Sequence, residues 1–298
     1  MPNVETSEEL WDYVAGVRPQ IESALVRHLP LAPPPVGARF NDALRDALFP
    51  GGKRLRPVLT LLGAELVGGQ ASDVLPAAAA VEFVHASSLI FDDLPCMDNA
   101  LERRSQPALH RRYGEGLAVL VALGLLNKSY GLVFEGQQKS PQRAIDAHAE
   151  LVECIGTNGM VTGQTVDLSN GDGWDVRGNV ESIRNLKTSA LIRLSLRLGA
   201  LLSGANQRQL ATLSNFAALT GEAYQIGDDL LDLSEDAALA VGDQRRATLA
   251  LERGPGQARA RIATMTAQAK QLLSDEFGNT RPARLLSALA DYIATRKS

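Results

Sequence analysis

Residues 73–91, DVLPAAAAVEFVHASSLIF, are apolar on almost every face of a helix and run directly into Asp92 and Asp93. A helix that is hydrophobic all round has to be enclosed by other elements. Partners are present in the same chain. Stretches 116–135, 186–202 and 210–233 share the character, rich in Ala and Leu, with little two-residue alternation. Aromatics make up only 5% of the chain, so aliphatic side chains must fill the core. Gly and Pro gather at 29–37, 49–53, 169–179 and 252–257, and these mark the breaks between helices. No fixed-period repeat and no low-complexity linker divides the chain. The expected fold is all-α: one domain over residues 1–298, a large bundle of about ten or more helices. The stretch 235–256 reads as less regular and is a candidate flap.

Charge narrows the function classes. Thirty Lys+Arg stand against 34 Asp+Glu for a net −4, which gives no general attraction to nucleic acid. At 45% hydrophobic and 21% charged, the chain is not disordered. Two cysteines, Cys96 and Cys154, cannot build a disulfide framework, which points to a reducing compartment. The N-terminus MPNVETSEELWDYV starts polar and acidic, unlike a signal or transit peptide. The longest uncharged apolar run, 116–126, is too short to span a bilayer and is followed by Asn127 and Lys128. A cytoplasmic chain without a membrane span is expected.

Two acidic clusters each close an apolar run. One is DDLPCMD, with Asp92, Asp93 and Asp98; the other is GDDLLD, with Asp228, Asp229 and Asp232. Asp228 and Asp232 lie four apart and share a helix face. Asp92 and Asp98 do not, but Pro95 removes a backbone donor and clashes with the Phe91 carbonyl. The helix should bulge or end there, which could bring Asp98 back beside Asp92. Carboxylates at the end of a buried helix repel one another unless a cation lies between them. Oxygen-only donors favour a hard ion, and magnesium carrying a phosphate is the usual case. The cations are clustered too. Lys53, Arg54 and Arg56 follow Gly51-Gly52, where backbone can approach an anion; Arg103 and Arg104 follow the first acids, with His110, Arg111 and Arg112 beyond; Lys187-Thr188 opens another helix. Arginine forks match phosphate oxygens and lysine adds a point charge. Acids and bases segregated in this way point to a diphosphate bridged through magnesium and a second anion held directly.

The strings GGKRLRP (51–57), HASSLIFDDLPCMDN (85–99), RRSQP (103–107), GMVTGQTVDL (159–168), LKTSALIR (186–193) and YQIGDDLLD (224–232) resemble, in order, the motifs of trans-isoprenyl diphosphate synthases, the farnesyl and geranylgeranyl diphosphate synthases. The ending LADYIATRKS is similar to that family's C-terminal helix. The resemblance implies a bundle around a central substrate cavity. It implies that Asp92, Asp98, Asp228 and Asp232 hold up to three magnesium ions, with manganese the alternative, supported by Asp93 and Asp229. Arg103, Lys187, Thr188, Gln225 and Arg246 would contact the allylic diphosphate. Lys53, Arg56, His85 and Arg104 would hold isopentenyl diphosphate. Lys187, Thr188 and Gln225 would steady the allylic cation, and the released diphosphate would take the proton. Cys96 reads as packing with no redox role. A homodimer is implied, with no nucleic-acid partner.

Ser87 and Ser88 lie one turn before Asp92, beneath the metal site. A farnesyl-producing relative usually carries an aromatic residue at the position of Ser87. A small residue lets the tail pass toward Phe83, Val84 or a facing helix that includes Leu123, so the expected product is geranylgeranyl diphosphate, C20. Farnesyl diphosphate, C25 and longer chains, and a non-catalytic partner subunit are the alternatives. A class I terpene cyclase or a head-to-head synthase would not need GGKRLRP. The sequence departs from the family at Leu123, where an acidic residue is common, and at 235–249, which holds no lysine; Arg246 stands in there.

Overall fold

The computed structural model describes the backbone of residues 4–35, 37–49, 51–168, 180–239 and 254–295, and within them all side chains except those of 4–6, 167, 180–188 and 232–239. The chain opens with α1 (Val4–His28) and α2 (Ala38–Leu48). Then come α3 (Leu55–Leu66), a short 3-10 turn at Ala71–Val74, and α4 (Leu75–Asp92). A hairpin of β1 (Glu102–Arg103) and β2 (Gln106–Pro107) pairs Arg103 with Gln106 in antiparallel register. Next are α5 (Leu109–Tyr113), α6 (Glu115–Leu132), α7 (Pro141–Ile155) and α8 (Met160–Leu168). The chain continues with α9 (Val180–Leu202), α10 (Gln207–Leu239), α11 (Pro255–Phe277) and α12 (Arg281–Thr295). The all-α expectation holds: the strands amount to that one hairpin among the described residues.

The apolar stretch 73–91 supplies nearly all of α4, at the centre. Residues 77–84 are all buried, and α3, α6 and α9 pack around them. Residues 71–92 are long and apolar enough to cross a membrane, yet most of that stretch lies inside the bundle. Ala77–Ala80 keep α4 slender, so its neighbours approach closely. α3 and α9 approach through glycines: a Cβ on Gly63 would lie 2.2 Å from the Leu196 carbonyl oxygen, and one on Gly199 would lie 1.9 Å from that of Thr60. Hydroxyls buried in these helices are satisfied locally, as where Ser195 donates to Leu191 O at 2.6 Å and Thr220 to Phe216 O at 2.8 Å. Buried side chains from α1 to α12 join into one contiguous apolar cluster.

Two boundaries differ from the sequence reading. α9 begins at Val180, so Lys187 and Thr188 lie two turns inside it and not at its opening; nothing in VESIRNL halts a helix. α10 continues past Glu235 to Leu239, so part of the candidate flap is helix, and the rest up to 253 lies outside the described residues.

Candidate active site

The first acidic cluster is shaped by the way α4 stops. Asp93 donates its N–H to Leu89 O at 3.0 Å, and then the chain turns at Pro95. Asp98 N–H returns to the carbonyl of Asp92 at 2.9 Å, and Asn99, at φ +50°, donates to Leu94 O. Asp98 is therefore back beside Asp92, as Pro95 led one to expect. Asp92 and Asp93 are buried and Asp98 is exposed. Asp93 accepts from Arg103 Nη2 at 2.5 Å and from its Nε at 3.0 Å. That hydrogen bond, helped by the charges of Asp92 and Asp98, holds the Arg103 guanidinium firmly protonated. Gln164 of α8 reaches Met97 Sδ at 3.9 Å, which brings the GMVTGQTVDL string against this loop.

The hairpin separates two consecutive arginines. Arg104 and Ser105 both take positive φ, 55° and 61°, the pattern of a type I′ turn. While Arg103 turns to Asp93, the Arg104 guanidinium faces Gly52, where an added Cβ would sit 3.7 Å from its Nη2. Burial lowers the Arg104 proton affinity, Glu82 opposes that, and Arg54 and Arg103 add repulsion.

GGKRLRP divides in an unexpected way. Arg54, at φ +55° on the N-cap of α3, is buried and has no role in an open anion site. It donates to Glu22 at 2.8 Å, to Glu82 at 2.6 Å and to the Leu48 carbonyl at 2.8 Å. Gly51 makes room for it, since a Cβ there would lie 1.9 Å from Arg54 Cζ. The first glycine thus admits a side chain, where the sequence suggested an approaching anion. Arg56, in contrast, donates to His85 Nε2 at 3.1 Å. Because Arg56 can only donate, His85 accepts at Nε2 and carries its proton on Nδ1. His85 Nδ1 and Arg56 Nε are buried and meet no hydrogen-bond partner among the described residues. Burial, then the charges of Arg56 and Arg104, push His85 well below the usual histidine range, so the imidazole is neutral at pH 7. Burial also lowers Arg56, opposed by Glu82 and by Tyr224 of α10. Tyr224 therefore lies within electrostatic reach of Arg56, which joins YQIGDDLLD to GGKRLRP.

Lys53 is exposed and leans on Trp11 and Tyr292, residues the sequence had not flagged. Arg112 pairs with Asp46 at 2.6 Å, and Tyr113 bonds the same carboxylate, so Arg112 is structural. His110 is buried.

Gln225, Asp228 and Asp229 are half-buried along α10. α9 meets α10 where Gly221 leaves space: a Cβ would stand 2.2 Å from Ser189 Oγ and 2.9 Å from its Cα. With Arg197 of α9 bonding Leu210 O and Ser214 Oγ of α10, that contact fixes an antiparallel register in which the Lys187-Thr188 backbone is level with Glu222-Ala223, within a turn of Gln225, and Asp228 lies about a turn further along. The side chains of Lys187, Thr188 and Asp232, and all of Arg246, lie outside the described residues. Three-ligand metal clusters are absent among the described residues. Magnesium carried by a diphosphate does not require one, because one or two carboxylates and the phosphates suffice. Asp92 and Asp98, joined through their backbone, offer the oxygen donors that fit it.

Below Asp92, Ser87 is buried, as are Phe83 and Val84 one turn deeper, and Ser88 donates to His85 O at 2.9 Å. Leu123 cannot form the floor, because it is 53% exposed on the outer face of α6.

A family model for polyprenyl synthetases matches residues 38–242. The chain belongs to the polyprenyl synthetase family. It is 36% identical to the heterodimeric geranylgeranyl pyrophosphate synthase large subunit 1, chloroplastic, of Arabidopsis thaliana, over 98% of this chain and 81% of that one. It is 40% identical to a chloroplastic geranylgeranyl pyrophosphate synthase of Capsicum annuum, over 86% of this chain and 71% of that one. An apo crystal structure described as an FPP/GFPP synthase from Zymomonas mobilis superposes with a TM-score of 0.86 at 29% identity, covering 97% of this chain and all of that one. The cytoplasmic expectation is corrected here: both plant relatives are named chloroplastic, and a polar N-terminus does not decide between compartments.

Proposed function

We propose that this polyprenyl synthetase is a magnesium-dependent, trans-type single-domain prenyltransferase that condenses isopentenyl diphosphate with an allylic diphosphate and releases geranylgeranyl diphosphate. The observation that carries this is the separation of a basic cluster from an acidic one. On one side Arg56, His85 and Arg104 gather, with buried N–H groups of Arg56 and His85 lacking partners among the described residues, and Lys53 lies on the loop that leads into Arg56. These groups would hold isopentenyl diphosphate directly. On the other side lie carboxylates, which bind a diphosphate only through a cation. Asp92, Asp98, Asp228 and Asp232 would hold up to three magnesium ions. Bound magnesium would supply charge neutralisation for the departing diphosphate. Arg103, fixed by Asp93, would add a guanidinium to that leaving group, together with Lys187, Thr188, Gln225 and Arg246. The neutral His85 accepts from Arg56 and aims that guanidinium at the second substrate.

The names of the two plant relatives support a C20 product, as does the small, buried Ser87 above Phe83 and Val84. Product chromatography after incubation with isopentenyl and farnesyl diphosphates tests it. C20 is expected, and Ser87→Phe should move the main product to C15. A wild-type product that stops at C15 overturns the assignment. A homodimer is part of the proposal: Val119, Leu120 and Leu123 on α6 and Ile145 and Val152 on α7 are exposed. His148 of α7 packs on Tyr130 of α6 and on Phe134 just beyond it, so the two helices meet there, and their exposed apolar residues would form the face for a second copy.

A further inference from the structure

We propose that Trp11 and Tyr292, from the first and last helices, are positioning residues that hold Lys53 for isopentenyl diphosphate. The idea rests on the placing of Lys53 in that diphosphate site. Lys53 Nζ donates to Tyr292 Oη at 2.5 Å. The same ammonium lies 6.0 Å from the Trp11 ring centroid, at the edge of cation–π range, while its hydrogen bond places it beyond the Tyr292 hydroxyl, 5.1 Å from that ring's centroid and not over its face. The two rings meet edge to face, with centroids 5.0 Å apart and an interplanar angle of 85°, and so make a fixed corner.

A lysine on an exposed loop ordinarily samples many rotamers, and a ligand that uses it must arrest that motion. Here the corner has arrested it beforehand. An ammonium has three protons; Tyr292 takes one, which leaves two directed away from the rings for diphosphate oxygens. The neighbouring residue, Gly52, backs onto Arg104, so the loop that carries Lys53 lies against the arginine cluster. The ring corner does not need the lysine in order to pack, because Trp11 and Tyr292 already contact one another. The arrangement therefore acts on the cation, and through it on the ligand.

The test is steady-state kinetics with isopentenyl diphosphate varied at saturating allylic diphosphate. Tyr292→Phe keeps the ring and removes only the hydroxyl, so folding is preserved. It should raise KM for isopentenyl diphosphate about three- to tenfold, with kcat and the allylic KM within about twofold. Trp11→Leu should act in the same direction. In a Lys53→Met background, Tyr292→Phe should have no further effect, which a purely structural role for Tyr292 would not produce. An unchanged KM in Tyr292→Phe, or the same increase with and without Lys53, overturns the proposal while the functional reading stands. Absence of wild-type turnover overturns the functional reading and takes this proposal with it.

Discussion

Arg54 commits its whole guanidinium to Glu22, Glu82 and the Leu48 carbonyl, whereas Arg56, two residues on, keeps a buried Nε without a partner among the described residues. The start of α3 separates them: Arg54 is its left-handed N-cap and Arg56 lies within its first turn. Glu82 connects the two, since it binds Arg54 and its charge reaches Arg56 and Arg104. Only 1% of the Arg54 side chain and 4% of that of Glu82 are exposed. Removing one member of such a buried pair strands the other charge, at a cost of about 3–5 kcal/mol. Glu22 still holds Arg54, so Glu82→Ala should fall at the lower end, about 3 kcal/mol, in equilibrium denaturant unfolding. A loss under about 1 kcal/mol would mean that Glu22 alone satisfies the guanidinium.

At the scale of elements, α9 is the helix whose placement decides the site. It is pressed to α3 through Gly63 and Gly199 and to α10 through Gly221. Arg193 and Arg197 reach Glu150 of α7, at 3.5 and 2.8 Å, and Arg197 also donates to Leu210 O and Ser214 Oγ of α10. An alanine at Gly221 would meet Ser189 Cα at 2.9 Å, so a rotamer change does not relieve it and the helices must part. Such a displacement shifts Lys187-Thr188 relative to Gln225 and Asp228. Misplacing reacting groups by about 1 Å can cost on the order of a hundredfold in rate. Gly221→Ala should therefore lower kcat about 10- to 100-fold with its helical circular dichroism unchanged. A variant with wild-type kcat would show that the α9–α10 spacing is not what aligns the site.

For the whole molecule, what could be read from the chain followed from how local each feature is. The burial of α4 and the return of Asp98 to Asp92 are set by periodicity and one proline, all within 30 residues of sequence. The fate of Arg54 depends on Glu22 and Glu82, 32 and 28 positions away, and that of Lys53 on Tyr292, 239 positions away. No local pattern carries such pairings, so a single basic string looked like a single anion site. α6 hid its orientation for another reason. It is apolar all round, so nothing in its sequence says which face turns outward. The structure turns out Val119, Leu120 and Leu123, and Ile145 and Val152 of α7 are exposed as well. Exposed apolar residues gathered on a water-facing helix are the kind of surface that partners cover. The proposed homodimer would cover it with a second copy, because a two-fold axis sets the same patch against itself. Leu123 stands where the family commonly has an acidic residue, and on that face it adds apolar area and carries no charge. The double variant Leu120→Asp, Leu123→Asp would put like charges on both sides of the proposed interface and does not touch the core. Light scattering coupled to size exclusion should give the dimer mass for the wild type and the monomer mass for the variant, with helical content retained. A wild-type monomer would break the proposal, and a variant that stays dimeric would move the interface away from α6.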